Sequence, residues 1–574
     1  MGNKCKRFAT LYYTIYVMSQ QLILNLLSRI LIFVGPMVSL VVSPTFNYDP
    51  INLIKILVTT TAAFYLLGIF VTNFRYFYSR LSVKFWCVSL FFIVSLISTF
   101  LFSGAPKNQQ FWGSFGRNTG FLTYFSLLLI LIGAALIQLQ SVYRSIINSL
   151  VVTSVIVEAY CLIQIAGVDP VTWSLKDTFA TFGNTNFLSA FLGIACLASL
   201  VLVFDNEKSK LIRLGLVVIS VLGVFIILDT GSIQGFMILI AGIGVLGYFL
   251  IRSNNRIRFI LIPYLIFGLG GFVLALMGIV NKGPLASFIF QPSILFRADY
   301  WHAGWVMTIS HPFFGVGLDS YGDWYREARG SISTLRTGPD RTANTAHNIF
   351  LDLSSTGGFP LVILYLALIV FAFAISFRWL KSNKHFDPYF VAIFACFVAY
   401  QIQAVVSINQ IGVGIWGWLL NGSLIGYCLV SKSGPLDPSK KKIRKKSVNS
   451  MPASTSAMAL ISAIVGFILA FIPLNADSKY RNALLSKELN KMMESLNSPG
   501  STAWHLNETL NAAIMNNFSD QARLLDQKLI SVYPRDFYGW KILYFLNNSS
   551  AEEKSFALQK LRALDPFNPD LPKS

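Results

Sequence analysis

The chain has 574 residues, 54% of them hydrophobic and only 13% charged, with a mean hydropathy of +0.59, which excludes an ordinary soluble protein. A net charge of +20 would suggest nucleic acid in a soluble chain, but here the spacing of the basic residues gives another cause. Composition therefore predicts an all-α, polytopic transmembrane helical bundle with the membrane as its medium and no nucleic-acid partner.

About thirteen apolar stretches are long enough to span a bilayer as helices. They run roughly over 24–43, 51–73, 83–103, 119–138, 145–166, 186–204, 211–229, 232–251, 259–280, 358–380, 389–408, 410–430 and 456–474. The first is long and lacks a small-residue cleavage site, so it reads as a retained helix rather than a signal peptide. Every second connection is basic: Lys4, Lys6 and Arg7, then Arg75, Arg80 and Lys84, and so on to Lys440–Lys446. That alternation is the positive-inside pattern; it places the N-terminus in the cytoplasm and, after thirteen spans, the C-terminus outside. Glu158 falls midway along the fifth span, where a carboxylate is either functional or hydrogen-bonded to neighbours such as Tyr160 or Gln164. The six cysteines lie in spans or at the N-terminus, with no CxxC, so neither a disulfide framework nor a zinc site is indicated.

The large connection over 281–357 falls outside, and its six basic and six acidic residues cancel, so its arginines are not topology signals. Arg297, Trp301 and Trp305 recur at i, i+4 and i+8, which puts a guanidinium and two indoles on one helical face. His311 precedes Pro312 and reads as a turn residue, His302 as packing beside Trp301 and Trp305, and Asp319 and Asp323 as helix-surface or turn residues. His347 sits in Ala346-His347-Asn348, just ahead of an apolar run. Taken in order, Arg-x3-Trp, His-Pro-x2-Gly-x-Gly, Ala-His-Asn, and Gly357-Gly358 opening a membrane helix resemble the O-antigen ligase and polymerase family. Those membrane glycosyltransferases use polyprenyl-pyrophosphate-linked glycans. The likeness covers roughly 100–430 and is most specific over 297–358.

The resemblance implies glycan transfer from such a lipid to an acceptor lipid, glycan or protein. Leaving-group charge must be stabilised and the acceptor hydroxyl must lose a proton. Arginine binds phosphate oxygens with a planar fork and stays charged, so Arg297 is the first choice for the diphosphate. His347 is the second catalytic candidate, as base or, when charged, as diphosphate support. Arg117 lies in Gly116-Arg117-Asn118-Thr119-Gly120, similar to a family Gly-Arg-x-x-Gly; its other reading is an interfacial turn. Asn184 and Asn186, in Gly183-Asn184-Thr185-Asn186, read first as helix caps. Many members carry Ser-Arg where this chain has Ile233-Gln234, so either Gln234 substitutes with a neutral amide or another arginine, Arg117 or Arg336, takes over. Substrate-binding candidates are thus Arg117, Gln234, Trp301, Asn348 and Arg336.

No Asp-x-Asp motif, metal-ligand spacing or Gly-rich phosphate loop is present, which predicts a transferase using no metal and no cofactor. The predicted organisation is a transmembrane ligase-like domain over 1–430, a basic cytoplasmic linker over 431–455, a last span over 456–474 and an extracytoplasmic helical tail over 475–574. In that tail two Pro-terminated helices about 32 residues apart approach the tetratricopeptide period, which suits a partner-binding module or a lid. Within the family, ligase, repeat-unit polymerase and protein O-oligosaccharyltransferase stay open. A lipid or glycan transporter would show paired broken helices in its two halves, and none is found. A non-catalytic membrane anchor would not need the 297–358 loop.

Overall fold

The computed structural model describes residues 22–174, 176–290, 292–430 and 453–572, and every regular element among them is a helix. In chain order the bundle begins with α1 (Leu22–Leu40), α2 (Asn52–Thr72), α3 (Val83–Phe102), α4 (Phe121–Ile137) and α5 (Gln140–Ile165). It continues with α6 (Thr185–Leu202), α7 (Lys210–Asp229), α8 (Ile233–Ser253) and α9 (Leu261–Ile279). The long connection then contributes α10 (Pro292–Ser310), α11 (Tyr321–Ala328) and α12 (Ser331–Thr337), before α13 (Ile349–Ser382), α14 (Pro388–Val406), α15 (Ile411–Val430) and α16 (Ala453–Ser486). Twelve helices are long and apolar enough to cross a bilayer, and α4, at 17 residues, is the shorter apolar helix that answers to the fourth expected span. The chain is a multi-pass membrane protein. Residues 431–452 of the expected basic linker lie outside the described residues.

α15 is the axis of the bundle. Trp416 and Trp418 are almost wholly buried on it, and a Cβ on its Gly422 would sit 2.1 Å from the Leu131 carbonyl oxygen of α4. In a lipid medium helices associate through such close backbone contact rather than through a hydrophobic drive. Around this axis α2 packs along α16, α6 against α7, α8 and α14, and α3 against α13. At the other extreme, α9 buries only Gly278 and presents apolar side chains all round, as a lipid-facing helix does. One cation lies deep in the bundle: the Lys55 ammonium donates to the Val38 and Ser39 carbonyls at 2.8 Å each, satisfying the open end of α1.

Two expectations need correction here. Glu158 is buried, but Tyr160 and Gln164 bond to Asp169 instead, at 2.9 and 2.8 Å, and leave the Glu158 Oε1 without a partner among the described residues. The last apolar stretch does not stop near 474; it forms the first half of α16, whose 34 residues continue to Ser486 and carry the chain into the tail. That tail is built from α17 (Ala503–Met515) packed on α18 (Ser519–Val532), and α19 (Phe537–Phe545) on α20 (Ala551–Leu564), two helical hairpins in series.

The long connection between α9 and α13 is folded, not open. Its His311–Gly317 turn lies on a break in α13, where Gly358 takes φ 74° and Pro360 follows. Val316 N donates to Ser355 O at 2.8 Å, and Phe359 N donates to Pro312 O at 2.8 Å, so the two backbones are laced together. A Cβ at Gly358 would stand 2.6 Å from the Phe313 backbone, and its φ is one that L residues rarely adopt. The glycines singled out by sequence thus serve close approach. They fix α10 against α13 and so set the distance between Arg297 and His347.

Candidate functional site

The first turns of six membrane helices (α2, α4, α6, α8, α13 and α15) reach one polar cavity of about 370 Å³, beneath the folded connection. Helix N-termini carry partial positive charge and unpaired N–H groups. Several are capped from within: Asn184 accepts from Asn186 N at 2.8 Å, Asn348 from Phe350 N and Leu351 N, and Asp49 from Ile51 N and Asn52 N. Those of α4 and α8, after Gly120 and Ser232, have no side-chain cap.

Arg117, Gln234, Arg297 and His347 all line this cavity, so four residues spread over 230 positions of sequence come together. The turn bearing Arg117 is organised by Asp319, whose carboxylate accepts from Ser114 N at 2.7 Å and Thr119 N at 3.0 Å. Arg117 Nη2 donates to Asn344 Oδ1 at 2.5 Å. Arg297 projects from α10. Burial lowers its pKa from the ordinary value, and among the described residues no carboxylate lies within salt-bridge reach of it. Gln234, 5% exposed at the start of α8, leaves both Oε1 and Nε2 unpartnered. Asn409 Nδ2 and Gln410 Nε2, also on the cavity wall, are unpartnered too. Buried polar groups are rarely left so, and four such atoms without a partner among the described residues give one cavity spare bonding capacity for a polar ligand.

His347 adopts φ 51°, sparsely populated for a residue with a Cβ, and its ring stacks on Tyr300 with centroids 5.6 Å apart. The conformation is imposed from both sides: Ala346 N donates to Asp352 Oδ1 at 2.6 Å, His347 N to Thr345 Oγ1 at 3.1 Å, and Asn348 begins α13. Burial first, then the charges of Arg117 and Arg297, push the imidazole pKa down to about 3. With that shift the imidazole is neutral at ordinary pH, the state a proton acceptor needs.

Other candidates lie elsewhere. Trp301 is not on the cavity wall, and its Nε1 is buried without a partner among the described residues. Asn348 lies 8% exposed and spends its side-chain oxygen on the cap. Arg336 pairs with Asp299 at 3.1 Å, outside the cavity. His302 is exposed rather than packed beside the two indoles, because it falls on the outer side of α10. His311 does end α10 as a turn residue, with its ring 4.5 Å from Trp324. Asp319 is a turn residue, as one of its two readings had it, but a buried one, and Asp323 is half-buried on α11, where it accepts from Gln109 Nε2 at 2.8 Å. Sequence reasoning missed Asp49, Asp352, Asn409 and Gln410. For the last two a signal existed: Ser407-Ile408-Asn409-Gln410 is the polar break between two apolar runs otherwise almost continuous. Among the described residues no three of His, Cys, Asp and Glu cluster as a metal site.

Residues 218–366, about a quarter of the chain, match the family described as O-antigen ligase. The match includes Gln234, Arg297 and His347 and leaves out Arg117. Among curated proteins none matches the chain.

Proposed function

We propose that this chain, which carries an O-antigen ligase domain over 218–366, transfers a glycan from an undecaprenyl-pyrophosphate-type lipid to an acceptor hydroxyl at the outer face of the bacterial inner membrane. The observation that carries the reading is Arg297: a half-buried guanidinium without a counter-ion among the described residues, in a cavity collecting six helix N-termini. Such a site suits a doubly charged diphosphate. Arg297 and Arg117 grip its oxygens, and the Gln234 amide donates where the resemblance to the family implies an arginine in many members. In the transfer the acceptor oxygen bonds to the anomeric carbon. The bond from that carbon to the diphosphate oxygen breaks and its electron pair leaves with the lipid diphosphate. The hydroxyl proton passes to the neutral His347 imidazole. Once the diphosphate is bound, its negative charge offsets the two arginines and makes that imidazole a stronger base.

In this reading the N-terminus is cytoplasmic, while the folded connection and the tail are outside, on the side where a flipped lipid-linked donor presents its headgroup. Reaction requires no metal, since arginines and helix ends supply the positive charge. The test is transfer by purified protein in nanodiscs, with lipid-linked glycan and excess chelator. Transfer in chelator supports the reading. Activity that appears only after magnesium or manganese is restored would overturn it and move attention to Asp49, Asp319 and Asp352.

A further inference from the structure

A second cavity of about 460 Å³ lies between the folded connection and the helical tail. It is a built cleft, because the tail is clamped in place. Asp565 forms a buried pair with Arg329 at 2.6 Å, Arg535 pairs with Glu327, and the Arg535 guanidinium lies over the Trp324 ring. Phe115, Asp319 and Asn344 line both this cleft and the cavity holding Arg297 and His347, so only one wall of side chains separates them.

The cleft's chemistry is specific. Asn118, 3% exposed in its wall, has Oδ1 without a partner, and so does Asn507, whose amide donates to Asp536 at 2.8 Å. Both orphans are acceptors, so they call for donors such as hydroxyls. Burial raises Asp323 to about 7, which lets it donate as well as accept near neutrality. Tyr538 and Lys541, half-buried on α19, complete the tail side, and Lys541 is held only by exposed Asp340 at 3.7 Å. A peptide adding to a strand edge is excluded, since the described residues form no strand. Amide, carboxyl and aromatic side chains instead match the alternating hydroxyl and C–H surfaces of a sugar.

We infer that this cleft is the acceptor site, and that its occupant is the hydroxyl-bearing end of a second glycan, which reaches the donor past the wall of Phe115, Asp319 and Asn344. The inference rests on the glycan-transfer reading and adds where the second substrate lies. It gives the tail a role in recognition, through α17 and α19, rather than in recruiting a separate protein.

The test uses full-length protein in the membranes of its own cell. Tyr538 is replaced by the photo-crosslinker p-benzoylphenylalanine, with and without Thr342→Trp, which fills the cleft from an exposed position. The expected result is an adduct that stains for carbohydrate, falls about tenfold or more with Thr342→Trp, and is competed by the repeat oligosaccharide freed from the donor by mild acid. In transfer assays Thr342→Trp should raise the acceptor KM by about tenfold and leave the donor KM within about twofold. An adduct that is polypeptide without sugar, or an acceptor KM unchanged in Thr342→Trp while transfer continues, overturns the cleft. Wild-type protein that binds no undecaprenyl diphosphate at all overturns the glycan-transfer reading itself, a separate outcome.

Discussion

The cavity and the tail interface use the same side chains in opposite states. At the interface Arg326 and Arg329 both end on Asp565, and Arg535 on Glu327, so each guanidinium meets a carboxylate within the molecule. In the cavity Arg297 has no such partner among the described residues, and Gln234 is buried with both amide atoms unbonded by any of them. An unsatisfied buried polar group costs roughly 1–3 kcal/mol, and a buried charge costs more. Burial alone therefore does not identify function. What separates Arg297 from the arginines of the interface is whether a carboxylate of the described residues meets the charge.

The contrast can be broken at either end. Asp565→Ala leaves the Arg329 guanidinium buried and unpaired, which should cost about 3–5 kcal/mol of tail docking. Limited proteolysis should then release the tail, while lipid-diphosphate binding stays within about twofold of wild type. Arg297→Ala should do the reverse: transfer falls about 100- to 1,000-fold, on the order of 3–4 kcal/mol, yet the empty protein melts no lower. Arg297→Lys should fail nearly as badly, because a point charge cannot replace the fork.

A smaller effect sharpens the role of His347. His347→Ala should lower kcat by about 100-fold, with the amount of folded protein unchanged. Its pKa lies below the ordinary imidazole value, and bound diphosphate raises it. The acid limb of kcat should thus lie at higher pH than that of kcat/KM, and Arg117→Gln should move the kcat/KM limb upward. The same sign governs stability: the unfolded chain takes up the proton first, so stability is lost as pH falls from about 6.5 towards 3. The smallest effect belongs to Arg336→Ala, which removes only a half-exposed pair with Asp299 and should change transfer by less than about threefold.

Hydropathy made the bundle legible because a membrane helix must be apolar along its whole length, whatever it packs against. Arg297 and His347 were legible for a related reason, since ionisable groups in such a chain need water or a ligand. In sequence Arg336 reads as one alternative to Gln234 for the diphosphate, and only the fold shows that Asp299 pairs with it. Asp49, Asp352 and the Asn409-Gln410 break could not be placed because the cavity is assembled from helix ends remote in sequence. The tail's contribution was equally hidden. Pro-terminated periodicity announces hairpins, but says nothing of the Asp565 latch that lays them against the connection.

The central claim is that the cavity is built for a lipid diphosphate and completed by it. Its most direct test is equilibrium binding of undecaprenyl diphosphate, without glycan or acceptor, to wild-type protein, Arg297→Ala and Asp565→Ala in nanodiscs. The account predicts saturable, salt-sensitive binding that weakens about 100-fold in Arg297→Ala and by no more than about twofold in Asp565→Ala. Equal binding by wild type and Arg297→Ala would contradict it.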